Sequence, residues 1–282
     1  MNRFRIAVFL MVGLLGLFGA HGQAVGPVSG PVPLVMGQTF TIASKSLAET
    51  RRINVYLPAG YAESATLRLP VLYMPDGGMQ EDFLHVAGLV QVLVGNGTMR
   101  PFILVGIENT QRRRDLTGPT TNEKDKQIAP KVGGSAAYRQ FIREELMPAV
   151  KQRYRTTAET AIVGESLAGL FVVETLLLEP SLFNTYLAFD PSLWWNNGQL
   201  AAQAATQLQK TRPAATVYLA TSIHGDTVVT PHLVELARQQ AARLGNWHYE
   251  AMPQETHATI YHPAALRAFR AVFAPQAAGA KH

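Results

Sequence analysis

The sequence predicts an α/β fold: a mostly parallel central sheet with an antiparallel N-terminal strand pair and helices on both faces. Three observations predict it. Short apolar runs alternate along the chain with segments whose apolar residues recur every three or four positions. Most of these runs lack the polar alternation of a half-solvated strand, and strands buried on both faces read this way. The chain has 282 residues, 47% of them hydrophobic, enough to fill one large core of this kind.

The elements follow in order. Residues 1–24 have the layout of a secretory signal peptide: the basic start Asn2-Arg3-Phe4-Arg5, an apolar run from Ile6 to Phe18, then small-x-small cleavage sites. The apolar run is too short for a comfortable membrane span, which needs roughly 20 residues. Residues 25–37, rich in Gly, Pro, Ser and Val, read as a linker. Gln38–Ser44 and Arg51–Pro58 alternate and lie close together, which predicts an antiparallel pair. Buried parallel strands are expected at Leu69–Gly78, Phe102–Asn109, Thr160–Ser166, Thr185–Ser192 and Ala215–Ser222, and a weaker one at Trp247–Pro253. Helical spacing fills Glu81–Val94, Ser135–Tyr154, Ser166–Leu178, Gln199–Lys210, His232–Gly245 and Pro263–Phe273. Pro148 should kink the second of these. There is no repeat and no interdomain linker, so residues 38–275 read as one domain and 276–282 as a frayed tail.

Composition narrows the function. A net charge of +5, scattered along the chain, argues against nucleic acid as a partner. The chain has no cysteine, which excludes disulfides, thiolate metal sites and lipid attachment through a thiol. No metal and no organic cofactor is expected. The expected location is periplasmic or secreted, with no stable membrane insertion once the signal is removed. The sequence does not give the oligomeric state.

In an open parallel sheet, ligands bind beyond the carboxyl ends of the strands. Gly164-Glu165-Ser166-Leu167-Ala168-Gly169 lies at such an end, between an apolar strand and an apolar helix. Small residues two before and two after the serine suit a sharp elbow that lifts its hydroxyl off the sheet. A serine that merely caps the helix is the competing reading. A serine nucleophile needs a base. His257, on the loop after the last strand, is the expected one, ahead of His262. Asp226 is expected to orient the imidazole, with Asp190 and Glu255 as rivals. The N–H groups of Leu167 and of Gly77 or Gly78 are expected to hold an oxyanion, with Met79 also open. Trp194 and Trp195 could line a substrate pocket or pack inward. Arg114, in the run Arg112-Arg113-Arg114-Asp115, could grip an anionic group or sit in a solvated charge run.

The elbow GESLAGLF, the segment FDPSLWWNN and the run RRDLTGPT resemble the putative esterase family of α/β hydrolases. Siderophore esterases, feruloyl esterases and mycolyltransferases are its relatives. The resemblance covers about Phe40 to Phe273. Its most specific part is Pro191-Ser192-Leu193-Trp194-Trp195, preceded by Asp190 where the family usually has serine. Glu165 and Ala168 also depart from the family's usual histidine and glycine. The resemblance implies an α/β-hydrolase fold, and it supports Ser166 and His257 as nucleophile and base. The resulting expectation is an exported serine hydrolase that cleaves a small-molecule carboxylic ester through an acyl-enzyme. An acyltransferase using the same residues, or a non-catalytic binding module of the same fold, are the alternatives.

Overall fold

A computed structural model of the chain describes residues 30–211, 214–223, 235–236, 239 and 246–275. The fold below is that of the compact unit beginning at Met36. The expected signal peptide, the tail, Asp226 and almost all of the helix expected over 232–245 lie outside the described residues.

Eight strands form one sheet: β1 (Gln38–Ser44), β2 (Glu49–Tyr56), β3 (Leu69–Pro75), β4 (Ile103–Ile107), β5 (Thr156–Glu165), β6 (Thr185–Phe189), β7 (Thr216–Ser222) and β8 (Trp247–Met252). Their order across the sheet is β1-β2-β4-β3-β5-β6-β7-β8. The β1–β2 and β2–β4 pairs are antiparallel and the rest are parallel. Helices α1 (Phe83–Gly95), α2 (Arg112–Asp115), α3 (Glu123–Lys126), α4 (Ser135–Phe141), α5 (Met147–Arg153), α6 (Ser166–Leu178) and α7 (Gln199–Thr211) connect them, and a C-terminal helix spans Tyr261–Val272.

Alternation along the strands sorts the core into two layers. Val71 and Tyr73 of β3 face a cluster with Phe141, Val150, Phe171 and Leu208, carried by α4 to α7. Leu72 and Met74 face the other cluster, with Val86, Leu93 and Phe269 of α1 and the C-terminal helix. Every residue of β3, β4 and β6 is buried, as their unbroken apolar runs predict, whereas β1 at the sheet edge is mostly exposed or half-buried.

The segment 135–153 does not simply bend at Pro148. A π-turn over Ile142–Leu146 joins α4 to α5, and Pro148 lies in the first turn of α5. Proline supplies no N–H to the carbonyl four residues back, that of Glu144, and the widened turn sits at that residue.

Inside the fold, Arg51 of β2 is fully buried. Its guanidinium donates to Glu49 Oε1 and Asp115 Oδ2, each at 2.8 Å, and to Thr110 Oγ1, and it lies over the Tyr138 ring. Arg114 donates to Glu49 and to Asp115 Oδ1. These contacts tie β2, α2 and α4 together.

Candidate active site

Three neighbouring strands end the same way. Asp76, Ser166 and Asp190 follow β3, β5 and β6 directly, and all three have positive φ, of 56°, 59° and 42°. This left-handed region costs a residue with a β-carbon about 1–2 kcal/mol, less for Asp than for Ser. The three bends converge because β3, β5 and β6 are adjacent and parallel.

At the middle bend, Ser166 starts α6. The elbow is tight for a visible reason: a β-carbon on Gly164 would sit 2.7 Å from the Ala168 carbonyl carbon and 2.8 Å from its Cβ. Only glycine at 164 lets strand and helix approach so closely. A β-carbon on Gly169 would lie 3.1 Å from Phe189 O and Pro191 Cα, where α6 meets the end of β6. Ser166 is half-buried, and Leu167, with an N–H in the first turn of the helix, has no acceptor inside the helix.

The imidazole of His257 stands over Ser166, with Nε2 at 3.0 Å from Oγ. Its Nδ1 lies 2.7 Å from Asp190 Oδ2. Asp190 also accepts from Ser222 N at 3.1 Å and Ser222 Oγ at 2.8 Å. An ionised carboxylate only accepts, so Nδ1 carries the proton and Nε2 of the neutral ring faces the serine as an acceptor. Burial alone would raise the Asp190 carboxyl, but the hydrogen bonds from His257 and Ser222 outweigh it and hold it below its ordinary range. The hydrogen bond to Asp190 raises His257, burial opposes this, and the charges of Glu165 and Asp190 add to the rise.

The loop carrying His257 is built from its own residues. Ile223 N donates to Glu255 O at 3.0 Å, fastening the loop to the end of β7. Thr259 Oγ1 donates to Glu255 Oε2 at 2.7 Å and accepts from Thr256 N at 2.9 Å. The Glu255 carboxylate therefore holds the loop and does not hold the imidazole. His262 lies away from this centre, beside His85, with ring centroids 5.5 Å apart.

The position expected of Asp226 is thus filled by Asp190, with Asp226 outside the described residues. The pairing register explains the placement. Glu165 pairs with Phe189, so the next residues, Ser166 and Asp190, leave the sheet side by side.

The oxyanion expectation needs correction at Gly77. Its N–H donates to Ile107 O at 3.0 Å, continuing the sheet, and its carbonyl accepts from Asn54 Nδ2 at 2.8 Å. A β-carbon there would meet Ile107 N at 2.2 Å, so this glycine serves close approach to β4. Gly78 N–H donates to Glu81 Oε2 at 2.6 Å. The bend before them is held by Arg112, whose Nε and Nη2 each donate to Asp76 at 2.7 Å.

Two further expectations divide. Trp195 is buried in the core and its indole N–H donates to Gly118 O at 2.9 Å, so it packs; Trp194 is 45% exposed. The Arg114 guanidinium donates to Glu49 and Asp115 inside the fold. With Gln111, Arg112, Arg113 and Lys131, Arg114 lines a recess of about 540 Å3. Glu165, Arg112, Ser192 and Ser222 also stand at the site, and the sequence alone does not single them out for it. Glu165 Oε1 lies 3.3 Å from His257 Nε2, and Ser192 Oγ lies 3.4 Å from Ser166 Oγ. The one available signal was for Ser192, from its place in the FDPSLWW segment. No cluster of three or more His, Cys, Asp or Glu suited to a metal ion occurs among the described residues.

Comparison with known proteins gives this arrangement a setting. A solved structure of an IroE-like serine hydrolase from Shewanella oneidensis superimposes with a TM-score of 0.73 at 29% identity, covering 84% of this chain and 80% of that one. The ferri-bacillibactin esterase BesA of Bacillus subtilis is 33% identical over 159 residues, 49% of this chain and 50% of that protein. A siderophore triacetylfusarinine C esterase of Aspergillus fumigatus is 31% identical over 59% of each chain. The chain thus aligns with only about half to three-fifths of the length of these two curated relatives. Its fold is that of the α/β hydrolases. The family model described as "Putative esterase" matches residues 44–275, most of the chain, and the chain belongs to that family.

Proposed function

We propose that the protein is an exported serine esterase that hydrolyses a small-molecule carboxylic ester. The observation that carries this reading is the unbroken line Ser166 Oγ, His257 Nε2, His257 Nδ1, Asp190 Oδ2, with spacings of 3.0 and 2.7 Å at its two hydrogen bonds. A strained serine facing a base that is itself oriented by a carboxylate is the arrangement of acyl transfer through a covalent intermediate.

The geometry supports the following steps. Ser166 Oγ attacks the ester carbonyl as its proton passes to His257 Nε2. Asp190 stabilises the resulting imidazolium through Nδ1–H. Leu167 N–H donates to the oxyanion. Gly78 N–H, which binds a carboxylate oxygen of Glu81 in the free protein, is the second donor, and the substrate oxyanion replaces that carboxylate. His257 returns the proton to the leaving alcohol. Water then attacks the acyl-Ser166 ester by the same route. No step calls on a metal or cofactor.

The relatives named above suggest a siderophore-type ester as substrate. The exposed Trp194 and the recess beside Arg112 and Arg113 suit an aromatic, anionic group. The short basic-apolar start of the chain supports export. Among the described residues no helix is long and apolar enough to cross a membrane.

A panel of siderophore, feruloyl, sugar-acetate and short-chain esters tests the reading. Wild type should hydrolyse at least one ester, and Ser166→Ala should lose on the order of 10^6-fold in kcat. Hydrolysis that survives the alanine change excludes Ser166 as the nucleophile.

A further inference from the structure

Glu165 sits between the nucleophile and the rest of the sheet, as the last residue of β5. Its side chain is 15% exposed, and Oε1 is buried without a hydrogen-bond partner. A buried carboxylate oxygen with no donor is costly. His257 Nε2, the atom that also faces Ser166, lies 3.3 Å from this oxygen. In the neutral ring this nitrogen has no proton, so Oε1 finds no donor there. A proton on Nε2 would supply one.

That proton appears at low pH, and it appears when His257 has taken a hydrogen from Ser166 or, later, from the attacking water. We propose that Glu165 is a second carboxyl acting through His257: it holds the imidazolium at Nε2 while Asp190 holds it at Nδ1, and so moves the working range of the base toward alkaline pH. This rests on the reading of His257 as general base. Glu165 acts through His257 and is a positioning and charge-tuning residue.

The surroundings support the assignment. Burial pushes the Glu165 carboxyl up to about 7, while the positive charges of His257 and Arg112 oppose the rise. Asp82, before α1, and Asp190, after β6, add negative charge on the same side. Arg112 is itself held by Asp76 through both of its facing nitrogens, which limits what it can give to Glu165. The hydroxyl of Tyr261, at the start of the C-terminal helix, is buried without a partner and is raised by burial, then by Asp82, Asp76 and Glu165. Glu165 and His257 therefore bias each other's charge, walled by two further carboxylates.

The test is Glu165→Gln, which keeps the shape and removes the charge, read in two ways. The first is the titration of the His257 imidazole by NMR in the resting protein. The second is the pH dependence of fluorophosphonate labelling of Ser166. A negative neighbour raises a histidine pKa, so its loss lowers it. Both midpoints should move to lower pH in the glutamine variant. Glu165→Asp, which withdraws the carboxylate by one methylene, should move them in the same direction by less, and carries the test if the glutamine variant fails to fold. Midpoints that stay in place or move up in a folded variant overturn the proposal. The NMR arm needs no turnover. A protein that neither labels nor hydrolyses esters would refute the esterase reading, while the imidazole midpoints would still decide whether Glu165 and His257 are coupled.

Discussion

At the scale of single residues, the site is made by hydrogen bonds that select one protonation state. Asp190 is locked ionised by Ser222 and His257, and that fixes the imidazole tautomer facing Ser166. Asp190→Asn should therefore lower kcat by about 10^3–10^4-fold with the fold intact, because the amide can no longer enforce the tautomer. Steady-state rates beside a circular dichroism spectrum check this. The places of Ser166 and His257 were legible in the sequence: an elbow is a local pattern, and a histidine after the final strand is a positional one. Which carboxylate meets Nδ1 was not legible, because it depends on β6 lying beside β5 in a register that pairs Glu165 with Phe189. Two hints were present in the sequence. Both MPDGG and FDPS end an apolar strand on aspartate, a residue that tolerates left-handed backbone.

At the scale of elements, β5, its elbow and α6 form the most constrained joint in the chain. Residues Leu167–Leu177 of α6 are all buried, so the helix has little freedom to shift if the joint is crowded. Gly164→Ala places a methyl within 2.8 Å of Ala168 and forces strand and helix apart. The expected cost is about 1–3 kcal/mol of stability, with a larger proportional loss of ester turnover because the Ser166–His257 spacing opens. Urea unfolding and turnover measured on the same sample would check both. Most strands and helices were legible because periodicity separates buried strands from amphipathic helices. The π-turn was not, since proline announces a missing hydrogen bond but not how the turns before it absorb the loss. Helices α2 and α3 were not legible either: each is one turn long, too short for any periodicity to show.

At the scale of the whole molecule, a buried charge network supports the sheet below the site. Arg51 and Asp115 are almost completely inaccessible and bind each other at 2.8 Å, with Glu49 and Arg114 closing the cluster. Removing Asp115 leaves two arginines, Arg51 and Arg114, to share the single carboxylate of Glu49. Asp115→Ala should cost about 3–5 kcal/mol, far more than an exposed pair such as Lys126–Glu123 would. Chemical denaturation of the two variants Asp115→Ala and Glu123→Ala would separate these cases. By sequence, the charge run that holds Asp115 looks like a loop with a candidate ligand-gripping arginine. In the fold, Arg114 turns inward to Glu49, whose place on β2 no local pattern reveals.

The three left-handed bends have a consequence for how this molecule could change over time. Each sets a side chain against the preference of its own backbone, and glycine would relieve that tension at every one. Glycine at Asp76 or Asp190 would relieve the backbone but strand the partners that each buried carboxylate satisfies, Arg112 and Ser222, so the strain is held in place by the hydrogen bonds it permits. Two of these corners, Ser166 and Asp190, carry the side chains that meet His257, and the third, Asp76, carries the one that holds Arg112.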